Sequence, residues 1–169
     1  MHKPLPAEAS NGYTAIDFYY IKRRLCRKNT EDFTMIKLIA GKKGTGKTKL
    51  LISAIHDAEQ ASKGNVVAVQ LGSSLNIDIY HKVRLVNIED YKISNYDEMA
   101  GFVAGILASD YDCTDIFVDG ILRICGRDME KIGVMFDKIA AVSGENTNVT
   151  FTISAEVSDL TENIKKYLK

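Results

Sequence analysis

Residues 41–48 have the types and the spacing of a phosphate-binding loop. They read Gly-Lys-Lys-Gly-Thr-Gly-Lys-Thr and match the Walker A pattern G-x-x-x-x-G-K-[ST] at every fixed position. The glycines at 41, 44 and 46 allow backbone conformations that a Cβ would block, so successive amide N–H groups can turn toward one anion. A helix that begins near Lys47 would point the positive end of its dipole at the same anion.

The remaining side chains of this motif supply a cation and a hydroxyl group. The Lys47 ammonium would reach β- and γ-phosphate oxygens, which also makes Lys47 the first catalytic candidate, and the Thr48 hydroxyl would coordinate Mg²⁺. ATP is favoured over GTP because no N-K-x-D guanine-recognition motif follows a later strand. We therefore predict that ATP with Mg²⁺ is bound by Gly41, Lys42, Lys43, Gly44, Thr45, Gly46, Lys47, Thr48 and Lys49.

Asp119 is the candidate for the metal side of this site. It follows the apolar run Ile116-Phe117-Val118, and an aspartate at the end of an apolar strand is typical of a Walker B motif. Such an aspartate holds Mg²⁺ through its water shell. The nearby carboxylates of Asp112, Asp115 and Asp128 remain alternatives.

The residues around the two motifs leave the chemistry open. Many ATPases with this layout carry a glutamate directly after the Walker B aspartate to polarise the attacking water, whereas Gly120 stands there in this chain. Glu156, beyond the last predicted strand, is an alternative catalytic carboxylate. Ser154, Arg123 and Arg127 are candidate sensors of the γ-phosphate, and the arginines could also act in trans. The sequence therefore does not decide whether ATP is hydrolysed.

Lys42 raises a separate question about assembly. It lies five residues before Lys47, which is the spacing of the deviant Walker A of partition and cell-division-positioning ATPases. In those proteins the lysine reaches across a dimer interface, but they usually have glycine where this chain has Lys43. A homodimer contact and an exposed loop lysine both remain open, as does an unknown protein partner.

Strands and helices alternate from residue 35 onward. Apolar runs predict strands at 36–40, 66–69, 83–88, 116–119 and 149–154, and apolar residues at helical spacing predict helices at 47–63, 95–109, 129–142 and 159–168. Gly64 is placed to end the first helix, and Asn95 with Glu98 forms a capping box at the start of the second. This alternation predicts an α/β fold, the P-loop NTPase three-layer sandwich, with a mostly parallel central sheet of about five strands.

Residues 1–34 differ from the rest of the chain. They contain both prolines, and residues 13–26 could form a short helix with a basic end. We expect 1–34 to be an N-terminal extension, either an appended arm or an over-extended start before Met35. Residues 35–169 are then expected to form the nucleotide-binding domain.

Composition excludes several other classes of protein. Twenty-two basic and 22 acidic residues give a formal net charge of zero, so no global positive field indicates nucleic acid. No apolar run approaches the roughly 18–20 residues that a membrane span needs. Cys26, Cys113 and Cys125 are widely spaced and unpaired with histidines, which favours free thiols in a reducing cytoplasm over disulfides or zinc.

Three stretches of this sequence resemble a known group of proteins. Residues 37–49, 62–65 and 115–128 are similar to small P-loop proteins of clostridia and related Firmicutes, often labelled twitching-motility (pilus-retraction) ATPases or simply ATP-binding proteins. The resemblance covers residues 35–169 and implies a cytoplasmic, bacterial, ATP-binding P-loop fold. It also implies that Lys47, Thr48 and Asp119 are the phosphate and metal residues.

Three functions remain open from the sequence. The first is an ATP hydrolase or ATP-driven switch, which the complete Walker A motif and Asp119 favour. The second is a nucleotide-dependent binding module without significant hydrolysis. The third is a small-molecule kinase, for which residues 123–127 are the only arginine-bearing candidate for a lid over the phosphates.

Overall fold

A parallel sheet organises the described part of the chain. The computed structural model describes residues 36–73, 75, 82–144 and 147–168, and the predicted extension at 1–34 lies outside them. Within the described residues the strands are β1 (Ile36–Ala40), β2 (Asn65–Gln70), β3 (Val83–Asn87), β4 (Cys113–Val118) and β5 (Asn148–Ile153). Every pairing is parallel, and the order is β1-β5-β4-β2-β3. The predicted α/β fold with about five mostly parallel strands is confirmed.

Helices cover both faces of this sheet. They are α1 (Lys47–Ala61), α2 (Tyr96–Ser109), α3 (Ile121–Ile124), α4 (Met129–Val142) and α5 (Glu162–Lys165), with 3-10 turns at Ile88–Tyr91, Val157–Asp159 and Lys166–Leu168. The core divides into two apolar clusters: α1 packs on one face of the sheet, and α2 and α4 pack on the other. Three layers result, as predicted.

Alternation along the strands places side chains in these two clusters. In β4, Phe117 belongs to the cluster with α1, whereas Ile116 and Val118 belong to the cluster with α2 and α4. All three side chains are at most 1% exposed. This strand is therefore buried on both faces, and the residue that follows it is held at a fixed position on the carboxyl edge of the sheet.

The capping box predicted at the start of α2 is present in a modified form. The Asn95 side chain accepts a hydrogen bond of 2.9 Å from the Glu98 N–H. In the reverse direction the Glu98 carboxylate accepts from the Ser94 N–H at 2.8 Å, one residue before the cap. The hydrogen bond from the Ser94 N–H is the largest of the contacts that lower the pKa of Glu98 below its ordinary value.

Two predicted helix ends were wrong. The first helix ends at Ala61, with Ser62 as its cap, rather than continuing to residue 63 before Gly64. The single helix predicted at 159–168 is broken, because Leu160 and Thr161 have extended backbones (ψ 138° and 159°). This break lets Leu160 and Tyr167 both reach the core, at 3% and 6% exposure.

The described part of the chain can also be searched for membrane-spanning helices and for paired cysteines. None of its helices is both long enough and apolar enough to cross a membrane. Cys113 and Cys125 are buried free thiols, and Cys26 lies outside the described residues.

Candidate nucleotide-binding site

The loop between β1 and α1 has the backbone that its glycines predict. Gly44 and Gly46 have φ values of 87° and 85°, in the left-handed region that other residues adopt at a cost. A Cβ on Gly41 would lie 2.7 Å from the Thr45 Oγ1 atom, so this position is closed to larger residues unless Thr45 moves. Gly46 is also the N-cap of α1, which therefore begins without a side-chain cap.

The loop folds around one carbonyl oxygen. The Lys42 carbonyl accepts from Lys47 Nζ at 2.6 Å and from Thr45 Oγ1 at 2.9 Å. Lys47 is only 7% exposed, so its ammonium is held inside the loop rather than in solvent. The positive charge and the start of α1 therefore lie together, as binding of a polyphosphate requires.

Asp119 lies beside this loop although it is distant in sequence. It is 3% exposed, and its Oδ1 atom lies 3.5 Å from Thr48 Oγ1. Its own N–H donates to the Val69 carbonyl at 2.9 Å, which ties the end of β4 to β2. The structure thus brings together the hydroxyl and the carboxylate that the sequence assigned to Mg²⁺.

Thr152 of β5 is a site residue that the sequence analysis missed. Its hydroxyl donates to Asp119 Oδ1 at 2.8 Å and accepts from the Gly120 N–H at 2.6 Å, and the residue is 1% exposed. One hydroxyl therefore fixes both the carboxylate and the backbone that follows it. The available signal was alternation along β5, in which the polar residues Asn148, Thr150 and Thr152 alternate with apolar residues.

Gly120 and Arg123 occupy the place where many ATPases have a catalytic glutamate. Gly120 has a φ of 71°, and Arg123 Nη2 lies 3.5 Å from Asp119 Oδ2. Arg123 is thus the one of the two predicted arginine sensors that the structure places against the Asp119 carboxylate. Arg127 is exposed on the segment that leads into α4.

The other predicted residues lie around the mouth of the loop. The Glu156 carboxylate forms an ion pair with the Lys42 ammonium, which links the segment after β5 to the phosphate loop. Ser154 is half-buried just beyond the end of β5, and Lys43 and Lys49 are exposed. The lysines therefore face solvent around a loop whose inward cation is Lys47.

The alternatives to Asp119 lie elsewhere. Asp115 sits near the opposite, amino end of β4 and accepts from Asn148 Nδ2 at 3.3 Å. Asp112 precedes that strand, and its carbonyl accepts from the Asn65 N–H at 2.7 Å. Asp128 is the N-cap of α4 and accepts from the Lys131 N–H at 3.2 Å. Their positions leave Asp119 as the carboxylate at the loop.

The donor set fits a magnesium ion carried by a triphosphate rather than a protein-only metal site. Across residues 36–73, 75, 82–144 and 147–168, no group of three or more histidine, cysteine, aspartate or glutamate side chains could hold a metal. Mg²⁺ typically takes one or two protein oxygens and completes its shell with phosphate oxygens and water. Thr48 and Asp119 supply oxygens of this kind beside the phosphate loop.

Comparisons with known proteins add a fold-level likeness only. No protein-family model matches the chain, and no curated protein matches it in sequence. Among solved structures, C. elegans PCH-2 matches 90% of this chain with a TM-score of 0.48 and 15% identity. The pCW3 conjugation coupling protein TcpA, in its monomer form with ATPγS, matches 79% with a TM-score of 0.41 and 13% identity. The chain covers 38% and 46% of those two proteins, and likenesses this weak support no functional argument.

Proposed function

We propose that this chain binds ATP together with Mg²⁺ and acts as an ATP-driven switch or ATPase. The observation that carries the proposal is the meeting of Lys47, Thr48 and Asp119 at one loop of left-handed glycines. A buried ammonium, a helix N-terminus and a metal-binding pair of oxygens at one place are the parts that a Mg²⁺-triphosphate requires.

Each residue has a defined task in this proposal. Lys47 exchanges the Lys42 carbonyl for β- and γ-phosphate oxygens, and the backbone N–H groups of the loop bind the same phosphates. Thr48 and Asp119 hold the metal, while Thr152 keeps the Asp119 carboxylate in position. When bound, Mg²⁺ neutralises the charge on the β- and γ-phosphates.

A nucleotide-dependent binding module with little turnover is the second candidate. Gly120 cannot act as a base, and the Arg123 guanidinium lies beside Asp119. Glu156, the alternative carboxylate, is paired with Lys42 at the rim of the loop. A site of this composition binds the triphosphate without a positioned carboxylate to activate water, so we expect slow hydrolysis at most.

Isothermal titration with ATP, GTP and ADP, with and without Mg²⁺, tests nucleotide binding. We expect saturable ATP binding that Mg²⁺ strengthens and that Lys47→Ala removes. Lys63→Ala is the matched control, because Lys63 is exposed just before β2, at the opposite edge of the sheet. Failure of the wild-type protein to bind any triphosphate, or equal affinity in Lys47→Ala, would refute the proposal.

Phosphate release from the same samples separates the two candidates. Release that depends on Lys47 supports an ATPase, whereas tight binding without release supports the binding module. The cytoplasmic location and the homodimer or other protein partner stay predictions.

A further inference from the structure

The Arg123 guanidinium occupies one side of the candidate metal ligand. The Asp119 carboxylate has its Oδ1 atom toward Thr48 and Thr152, and its Oδ2 atom lies 3.5 Å from Arg123 Nη2. Asp119 therefore has a counterion in the structure, and that counterion lies on the same carboxylate to which we assign the metal.

The backbone at Gly120 makes room for this arrangement. A Cβ on Gly120 would lie 2.7 Å from Arg123 Nε and 2.8 Å from its Nη2 atom, so the guanidinium lies directly against the glycine. The Arg123 N–H also donates to the Gly120 carbonyl at 2.8 Å, which fixes the short turn that carries the side chain. A side chain of any size at position 120 would collide with the guanidinium in this position.

The pairing of Arg123 with Asp119 is weak enough to be exchanged. The Arg123 side chain is 55% exposed, whereas the Asp119 side chain is 4% exposed. A half-exposed ion pair at 3.5 Å favours its paired state over its separated state by no more than about fivefold. A divalent cation at the same carboxylate would repel the guanidinium, whose solvent-facing side chain is free to move outward.

We propose that Arg123 is a displaceable counterion that neutralises Asp119 in the absence of metal and leaves it when Mg²⁺ arrives. The proposal rests on the proposed function, because it needs Asp119 to hold the metal that comes with the triphosphate. Arg123 is then a positioning residue that sets how strongly nucleotide binding depends on Mg²⁺. Without it, the Asp119 carboxylate loses one positively charged neighbour, so it repels metal-free triphosphate more strongly, and Mg²⁺ no longer has a guanidinium to displace.

The test compares the affinity for the non-hydrolysable analogue AMP-PNP in excess Mg²⁺ with that in EDTA, by isothermal titration. The dissociation constant in EDTA divided by that in Mg²⁺ measures the contribution of the metal to binding. We expect this ratio to rise about two- to fivefold in Arg123→Gln. Arg123→Met, which keeps the aliphatic stem without the charge, should give the same rise. Arg84→Gln is the matched control and should leave the ratio unchanged, because Arg84 is exposed on β3, the edge strand farthest from β1.

The outcomes distinguish failure of the counterion proposal from failure of the proposed Mg²⁺-ATP binding. If the Arg123 variants bind AMP-PNP more weakly by the same factor in Mg²⁺ and in EDTA, Arg123 binds phosphate directly and the counterion proposal is overturned. An unchanged or lowered ratio overturns it as well, while Mg²⁺-dependent binding by the wild-type protein keeps the proposed function. A wild-type protein that binds no AMP-PNP under either condition overturns both.

Discussion

Replacing Thr152 with valine would remove a hydroxyl that serves two partners. Valine has the same shape but can neither donate to Asp119 nor accept from Gly120. A hydrogen bond to a charged group contributes about 1.5–3 kcal/mol and a neutral one about 0.5–1.5 kcal/mol. The extra buried methyl offsets about 0.8 kcal/mol. We therefore expect Thr152→Val to lower the free energy of unfolding by about 2–3 kcal/mol.

Thermal unfolding followed by circular dichroism measures this loss. About 2–4 °C per kcal/mol is typical for a domain of this size, so Tm should fall by about 5–10 °C. Thr152→Ser keeps the hydroxyl, so its Tm should fall by less than that of Thr152→Val. Thr150→Val is the matched control, since Thr150 is also buried and lies on the same face of β5.

The same variant should weaken the metal contribution to nucleotide binding, because Asp119 is no longer held in place. A Tm within about 2 °C of the wild-type value, or a loss no larger than that of Thr150→Val, would refute the role assigned to the hydroxyl. A stable Thr152→Val protein with normal Mg²⁺ dependence would show that Asp119 is positioned by other contacts.

Three further substitutions test other parts of the structure. Gly120→Ala should destabilise the protein by about 1–2 kcal/mol in urea unfolding, because its φ is 71°. Gly105→Ala should stabilise it by about 0.5–1 kcal/mol in the same assay, because this exposed helical position has nothing within 4 Å of an added Cβ; a loss there would contradict the reasoning. Burial raises the pKa of Cys113 to about 11 and that of Cys125 to about 12, from an ordinary 9.0. Both thiols stay protonated in the native chain while the unfolded chain ionises, so stability should be full below pH 9 and fall as the pH rises toward these values; Cys125→Ala should reduce the slope of urea midpoints measured between about pH 8 and 10.5.

The parts of the site that depend on local sequence were predictable. The predicted phosphate loop is eight consecutive residues, and Gly44 and Gly46 have the left-handed backbone that the motif predicts. Asp119 could be picked out as a candidate because it follows the apolar run 116–118 at the end of a predicted strand. Local chemistry also indicated the cap at Asn95, because that hydrogen bond joins residues three apart.

The parts that depend on strand order were not predictable. Thr152 reaches Asp119 only because β5 lies between β1 and β4, an order that no local pattern specifies. The sequence therefore indicates Ser154, at the end of the predicted strand, as the polar candidate rather than Thr152. From the sequence, Gly120 indicates only that a glutamate is absent after Asp119. The structure shows that the Arg123 guanidinium occupies the space in which a side chain at position 120 would lie.

The position of β5 also determines when the site can form as the chain is made. The strand before the phosphate loop and the strand before Asp119 are not hydrogen-bonded to each other, because β5 alone joins them. During synthesis, β2 can pair with β3 and then with β4, while β1 has no hydrogen-bonded neighbour until β5 emerges. A ribosome-bound chain that stops before residue 148 would therefore carry the whole loop motif and still have no assembled site. Acquisition of nucleotide affinity should coincide with insertion of this final strand, which makes binding a reporter of completed folding.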